Sequence, residues 1–410
     1  MKKSIFGIIL VVLFGCSKEV AKPVVPVTPT PPVISIVEVL SKIVYYGKTS
    51  HELKNTNKFI SIDSLRNTFG IKNVGRYNGT NNYGFVYVDM NNDGREDIFY
   101  PYSSDGEFNT KPDVFINNGN YYTKDNSMLP TDYAGNQNTR KTIVGDFNND
   151  SLPDLFLINH GYEDNNYWPG ETNTLLLSDT ITHKYKIGNL SMLSKAFWHG
   201  GASGDLNGDG NLDIIVLGGH PAKVLYGNGK GNFTAVDWQY NAGDGYITGE
   251  IVDVDNDGQN DIILSGAEGN PPPARYSPST IFFNTHNDFS KQTTIVAPST
   301  NGWGTVTDIE VADIDGDNNN EIVFSRTGDI NGNWYGGFQL NVYKTNDNYK
   351  TLVDVSNKFI PNNISIQKQT TAWMYKMNLY KLNNVYYLDG ITTNSVVHHW
   401  KQEPITKIFN

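Results

Sequence analysis

Short apolar runs rich in β-branched and aromatic residues recur from about residue 84 onward, each bounded by Gly, Asn and Asp. No long stretch carries the spacing of an amphipathic helix, so the pattern predicts an all-β chain. The runs also follow a longer period. One run enters an acidic loop, as at 84–88 or 247–252, and a second leaves it, at 98–100, 155–158, 214–217, 262–264 and 322–324. A variable loop follows. A hairpin then closes the unit with an aromatic on its far arm: VLYGNGKGNF to Phe233, IFFNTHNDF to Phe289, LNVYKTNDNY to Tyr349. Four strands per unit describe a propeller blade; a linear β-solenoid normally has shorter turns.

The acidic loop is a nine-residue pattern: DMNNDGRED at 89–97, DFNNDSLPD at 146–154, DLNGDGNLD at 205–213, DVDNDGQND at 253–261 and DIDGDNNNE at 313–321. Its first, third, fifth and ninth positions are oxygen side chains, which is how a tight loop wraps a hard cation that wants six to eight oxygen ligands. The candidate metal ligands are Asp89, Asn91, Asp93, the Arg95 carbonyl and Asp97 in the first copy, and Asp146, Asn148, Asp150, the Leu152 carbonyl and Asp154 in the second. In the third they are Asp205, Asn207, Asp209, the Asn211 carbonyl and Asp213. The fourth offers Asp253, Asp255, Asp257, the Gln259 carbonyl and Asp261, and the fifth Asp313, Asp315, Asp317, the Asn319 carbonyl and Glu321. An EF-hand closes with Glu at position twelve between helices, so this is a different loop with the same ligand logic. The sixth position should need positive φ: Gly94, Gly210 and Gly258 permit it, Asn318 tolerates it, and Ser151 is strained there. The fourth copy, with four carboxylates and Gly258, should bind tightest. Metal-free Asx turns are the alternative, but clustered carboxylates in five copies would repel one another. The expected cofactor is therefore structural Ca²⁺, up to five ions.

Together, the acidic loop, the apolar exit strand and the N-x-G-x-F-like hairpin resemble the FG-GAP or VCBS repeat family, which includes the integrin α-chain propeller and several lectins. The resemblance implies an all-β propeller of four-stranded blades. Seven blades are favoured, with six plus an N-terminal extension as the alternative. Residues 33–75 would form a degenerate blade or that extension, with strand-like runs at 43–46 and 59–62. Residues 76–355 would form five calcium-loop blades, and 356–410 a metal-free blade with strands at 373–380, 385–388 and 396–400.

The ends set the context. Lys2 and Lys3, an apolar run at 5–14 and Leu13-Phe14-Gly15-Cys16 resemble a bacterial lipoprotein signal over residues 1–15, with Cys16 lipidated. Residues 16–32 would then be a Pro-rich tether, holding the fold roughly 30 Å off the membrane in extended polyproline geometry. The expected location is the outer membrane, exposed at the cell surface, with a periplasm-facing orientation as the alternative. Cys16 is the sole cysteine, so disulfides and thiol chemistry are excluded. Net charge is −11; loss of Lys2 and Lys3 would make it −13, and five Ca²⁺ would bring it to about −3. The acidity thus belongs mostly to the loops. No basic stripe points to nucleic acid, membrane contact is expected through the lipid only, and the chain is expected to be a monomer.

In related propellers the acidic loops lie on one face, which leaves ligands the other. The residues six and seven before each first Asp would ring the channel mouth there: Asn82 and Tyr83, Thr139 and Arg140, Trp198 and His199, Tyr246 and Ile247, Val306 and Thr307. The ligand candidates are Trp168, Trp334, Tyr335, Trp198, His199, Arg140 and Tyr162, because aromatic faces stack on sugars and short polar groups bond their hydroxyls. For any single Trp, packing between blades competes with this role, and Trp198 suits the channel lining. No catalytic residue is assigned. A non-catalytic module for glycan or another envelope ligand is favoured over a polysaccharide lyase or hydrolase drawing on Arg140, His199, Glu163 and Asp164, and over a protein scaffold.

Overall fold

A computed structural model describes residues 84–360 except 103–108, 120–121, 163–168, 219–220, 241–244, 267, 269–276, 296–304, 329–335 and 346. It also describes 366–367, 373–382, 385–392, 397–401 and four two-residue strands between 37 and 59. The signal and tether segments, residues 1–32, lie outside this set.

Each acidic loop joins the first and second strands of an antiparallel sheet. Blade one comprises Val86–Val88, Asp97–Tyr100, Asp113–Asn117 and Tyr122–Lys124. Blade two comprises Thr139–Gly145, Asp154–Asn159, Thr174–Leu177 and Lys186–Ile187, and blade three Gly200–Gly204, Asp213–Leu217, Lys223–Gly227 and Phe233–Asp237. Blade four comprises Tyr246–Val252, Asp261–Gly266, Thr280–Phe282 and Gln292–Thr294. Blade five comprises Thr305–Ala312, Glu321–Thr327, Phe338–Lys344 and Val353–Asp354, with Ile366–Gln367 added to its third strand. Blade six has Met374–Leu382, Val385–Thr392 and Val397–Lys401, and only a short connection where the others carry an acidic loop. Helix is confined, among the described residues, to Ser356–Phe359.

The first strands of successive blades lie side by side from blade one to blade six, and Lys376 of blade six donates to the carbonyl of Phe85, beside the first strand of blade one, at 3.1 Å. This is a propeller ring. Toward the N-terminus, Ile43–Val44 pairs with Glu52–Leu53 and Val37–Glu38 with Lys58–Phe59, and Ile43–Val44 lies beside the first strand of blade six.

The second strands explain why apolar runs, and not strict alternation, mark this chain. Asp154–Asn159 and Asp261–Gly266 are buried at every residue, because each sheet is covered on both faces by neighbouring blades. Leu155 and Leu157 pack toward blade one, while Phe156 and Ile158 pack toward blade three. The hairpin aromatics Phe233, Phe289 and Tyr349 enter the same inter-blade cores. The second loop residue is apolar in every copy, and Met90, Phe147, Leu206, Val254 and Ile314 each anchor their loop in one of these cores. Near the axis space is short. A Cβ on Gly200 would lie 2.1 Å from the carbonyl oxygen of Ile247 in the next blade, so this first strand carries little but glycine, alanine and serine.

Candidate metal loops and the opposite face

All five loops share one hydrogen-bond scheme. The first Asp accepts the N–H of the fifth residue and that of the sixth, as Asp89 does from Asp93 at 3.0 Å and Gly94 at 2.8 Å. The same pair of bonds recurs at Asp146, Asp205, Asp253 and Asp313. The carboxylate at position five then accepts the N–H of position seven, from Arg95, Leu152, Asn211, Gln259 and Asn319 in turn. These turns need positive φ at position six, found at Gly94 (82°), Ser151 (70°), Gly210 (81°), Gly258 (90°) and Asn318 (68°). Position four needs it as well, at Asn92, Asn149, Gly208, Asn256 and Gly316. The sequence signal for this second left-handed site was the strict Asn or Gly there. Ser151 is the one residue among these ten that is neither Gly nor Asn. Ser151→Gly is expected to raise unfolding stability by roughly 0.5–1 kcal/mol, the left-handed strain relieved less the added chain entropy. Urea denaturation measures it, and an unchanged or lower midpoint would show that the position is unstrained.

The ninth-position acid begins the second strand and is wholly buried in every copy. It ties the loop to the sheet: Asp97 accepts the N–H of Met90 at 3.0 Å and of Asn117 on the third strand at 2.8 Å. Asp154, Asp213 and Asp261 do the same with Phe147 and Ser178, Leu206 and Gly227, and Val254 and Asn284. Burial pushes these carboxyls up, to about 7 for Asp97 and Asp261 and about 6 for Asp154 and Asp213, against the pull of those hydrogen bonds. Glu321 is likewise raised to about 7, by burial and then by Asp315.

The copies differ at position three. Asp255 and Asp315 stand where the first three loops have Asn91, Asn148 and Asn207. Asp253, Asp255 and Asp261 bring three carboxylate oxygens within 4.8 Å of one another, and so do Asp313, Asp315 and Glu321. In the fourth loop the arrangement fits a cation: Asp255 Oδ1 is buried with no hydrogen-bond partner, an oxygen left for a ligand outside the chain. Lys291, more than half exposed, reaches only the other oxygen of Asp255, at 3.5 Å. The fifth loop differs: Lys344, from the third strand, contacts Asp315, lies 2.9 Å from Asp317 and 3.2 Å from Glu321.

Side-chain amides link consecutive loops. Asn149 donates to Asn211 at 2.8 Å, Asn260 to the Asp205 carbonyl at 2.8 Å, and Asn320 to the carbonyls of Asp253 and Val254 at 3.1 and 3.0 Å. Loops two to five therefore form one hydrogen-bonded belt on a single face of the ring.

A family model for the FG-GAP-like repeat matches residues 89–157, 205–264 and 253–324, each stretch starting at an acidic loop and ending in a second strand. The chain carries FG-GAP-like repeats on a β-propeller fold. Its fold is similar to that of an Agrocybe aegerita lectin whose structure concerns recognition of non-reducing terminal N-acetylglucosamine, with a TM-score of 0.52 and 14% identity over 91% of this chain and 97% of that one. More distant are a mutant of the NanB sialidase of Streptococcus pneumoniae (TM-score 0.42, 10% identity, 85% of this chain and 73% of that one) and a Trypanosoma rangeli sialidase mutant with trans-sialidase activity (0.42, 11%, 89% and 58%). No curated protein matches the chain in sequence.

On the opposite face of this FG-GAP propeller, blades two and three bring Arg140 and His199 together. Arg140 is the second residue of the first strand of blade two and His199 directly precedes that of blade three, and Arg140 Nη2 lies 3.3 Å from His199 Nε2. A guanidinium can only donate, so Nε2 accepts and His199 is the neutral Nδ1–H tautomer. Burial, and then the Arg140 charge, hold its pKa well below the usual histidine range. His160, directly after the second strand of blade two, joins the pair: its ring centre lies 5.4 Å from that of His199, and it packs on Phe197. The sequence reading passed over His160. Its signal was the polar pair Asn159-His160 directly after the apolar run 155–158 on the ligand side. Tyr162, half-buried, follows two residues later. Trp198 is a correction: it is 1% exposed, packs between blades two and three and donates its Nε1–H to the Ser194 carbonyl at 3.2 Å, so it offers no face to a ligand. Tyr246 and Val306 are likewise core residues. Trp168, Trp334, Tyr335, Glu163 and Asp164 lie outside the described residues.

Proposed function

We propose that this propeller is a non-catalytic binding module that holds a glycan on the face away from its acidic loops, while Ca²⁺ bound in those loops stabilises the blades. The observation that carries the ligand reading is the part-exposed Arg140–His199 pair at the mouth, with the fully buried ring of His160 packed beside it. A guanidinium fork suits a sugar's hydroxyls, or the carboxylate of an acidic sugar. Tyr162, with Trp168, Trp334 and Tyr335 on the long loops, would supply stacking faces. The Agrocybe aegerita lectin supports the reading only as a propeller of similar fold that recognises a sugar. The calcium reading rests on the orphan oxygen of Asp255 and on an all-oxygen donor set, which suits a hard cation.

A glycan array followed by product analysis tests this. Arg140→Ala is expected to weaken binding about 10- to 100-fold, the loss of a charged hydrogen-bond donor, with the melting midpoint retained. Turnover of a bound polysaccharide that disappears in Arg140→Ala or His199→Ala would replace the binding module with a lyase or hydrolase.

A further inference from the structure

The third strand of each blade places one residue opposite the ninth-position acid, one step beyond the paired residues Ile98–Phe115, Leu155–Leu176, Ile214–Leu225, Ile262–Phe282 and Ile322–Tyr343. In blades one to four that residue is Ile116, Leu177, Tyr226 and Phe283. None of these can carry a positive charge. In blade five it is Lys344.

A second departure falls in the same blade. The ninth acid is Asp in blades one to four and Glu321 in blade five. The four Asp residues accept the backbone N–H of the next third-strand residue, at Asn117, Ser178, Gly227 and Asn284. Glu321 instead turns its Oε1 to the Lys344 ammonium at 3.2 Å. Lys344 also contacts Asp315 and lies 2.9 Å from Asp317, so one ammonium meets three of the four carboxylates at ligand positions. The fourth, Asp313, is held by the N–H groups of Gly316, Asp317 and Asn318. The ammonium hydrogen-bonds Asp315 and ion-pairs by distance with Asp317 and Glu321, whose Oε1 has no hydrogen-bond partner.

We infer that the fifth acidic loop takes no metal ion: Lys344 is its resident cation, and the blade is stapled from within. The residues that make the fourth loop fit an ion are matched in the fifth, but there the Lys344 ammonium already stands among three of the four carboxylates. The side chain is about one-fifth exposed, so the ion pair is partly shielded from water. Replacing it with a divalent ion would require the lysine to be expelled first. The inference rests on the calcium reading for the other loops, and it lowers the expectation of up to five ions to at most four.

Counting Ca²⁺ bound to the full chain and to Lys344→Met, by equilibrium dialysis with metal analysis after chelator treatment, tests it. The wild type is expected to bind no more than four ions and Lys344→Met one more than the wild type. In chelator the variant should melt below the wild type and recover on adding Ca²⁺. Five ions in the wild type, or equal counts in the two proteins, would overturn the inference while leaving calcium in the other loops. No ion in the wild type and one in the variant would remove the calcium reading of the other loops and support this one. No ion in either protein would remove both. The wild-type count stands as a test even if the variant does not fold.

Discussion

Excess EDTA is expected to lower the melting midpoint of this protein by about 10–20 °C, and added Ca²⁺ to restore it. An ion bound only by the folded state stabilises by about 3–4 kcal/mol at 100 to 1,000 times its dissociation constant. A combined loss of about 5 kcal/mol, the lower end of an ordinary domain's stability, at about 2–4 °C per kcal/mol gives the range quoted. The effect should not stay local, because loops two to five are joined by the amides of Asn149, Asn260 and Asn320. Identical midpoints with EDTA and with Ca²⁺ would sink the calcium reading. The same melts carry a pH signature. The buried ninth-position acids hold their protons more tightly folded, at about 6 to 7, than at their ordinary values of 3.8 for Asp and 4.5 for Glu. Without metal, protonation therefore favours the fold: that contribution is complete below about pH 4 and is lost as pH rises through 6 to 7. The metal-free protein should melt higher at pH 5 than at pH 8. Calcium needs the carboxylates deprotonated, so in its presence the order should reverse.

Glu268→Gln is expected to cost about 3–5 kcal/mol, because it leaves the Arg326 charge buried without its counter-charge. Glu268 and Arg326 form an ion pair in which both side chains are fully buried. Glu268 follows the second strand of blade four, and Arg326 lies near the end of that of blade five, so the pair joins two blades on the face away from the acidic loops. Arg326 also approaches the Tyr343 hydroxyl at 3.4 Å, and Glu268 accepts from the N–H and hydroxyl of Ser279. The double variant Glu268→Gln, Arg326→Met should recover much of the loss, since removing both charges also removes the cost of burying either one. Chemical denaturation of the two single variants and the double variant gives the coupling. Additive losses would show that the pair is not a unit.

Much of the architecture was open to reading because propeller blades are built from local units. The nine-residue loop fixed where each first strand ends and each second begins, and the structure starts every second strand on the loop's ninth residue. Positive φ at position six was predicted for all five copies and is found in all five. The weak final unit was also legible, since strands predicted at 373–380, 385–388 and 396–400 match Met374–Leu382, Val385–Thr392 and Val397–Lys401. Less visible was anything that depends on which side chains meet across blades. Trp198 and His199 are neighbours in sequence, yet one is packed between blades and the other faces Arg140 59 residues away. Neighbours on an extended chain point to opposite faces, and only the ring decides which face is core.

The acidic loops show the same division. The sequence by itself determined five loops of one kind, their ligand positions, their turns and their place between paired strands, because each of these is set by contacts within a single blade. How the carboxylates of each loop are partnered was decided by the tertiary structure. Asp255 keeps a buried oxygen without a partner, whereas Asp315, at the same position one blade later, meets the ammonium of Lys344, 29 residues away along the chain. A net charge counts that lysine as one among many. Only the pairing of the second and third strands places it among the carboxylates of a loop.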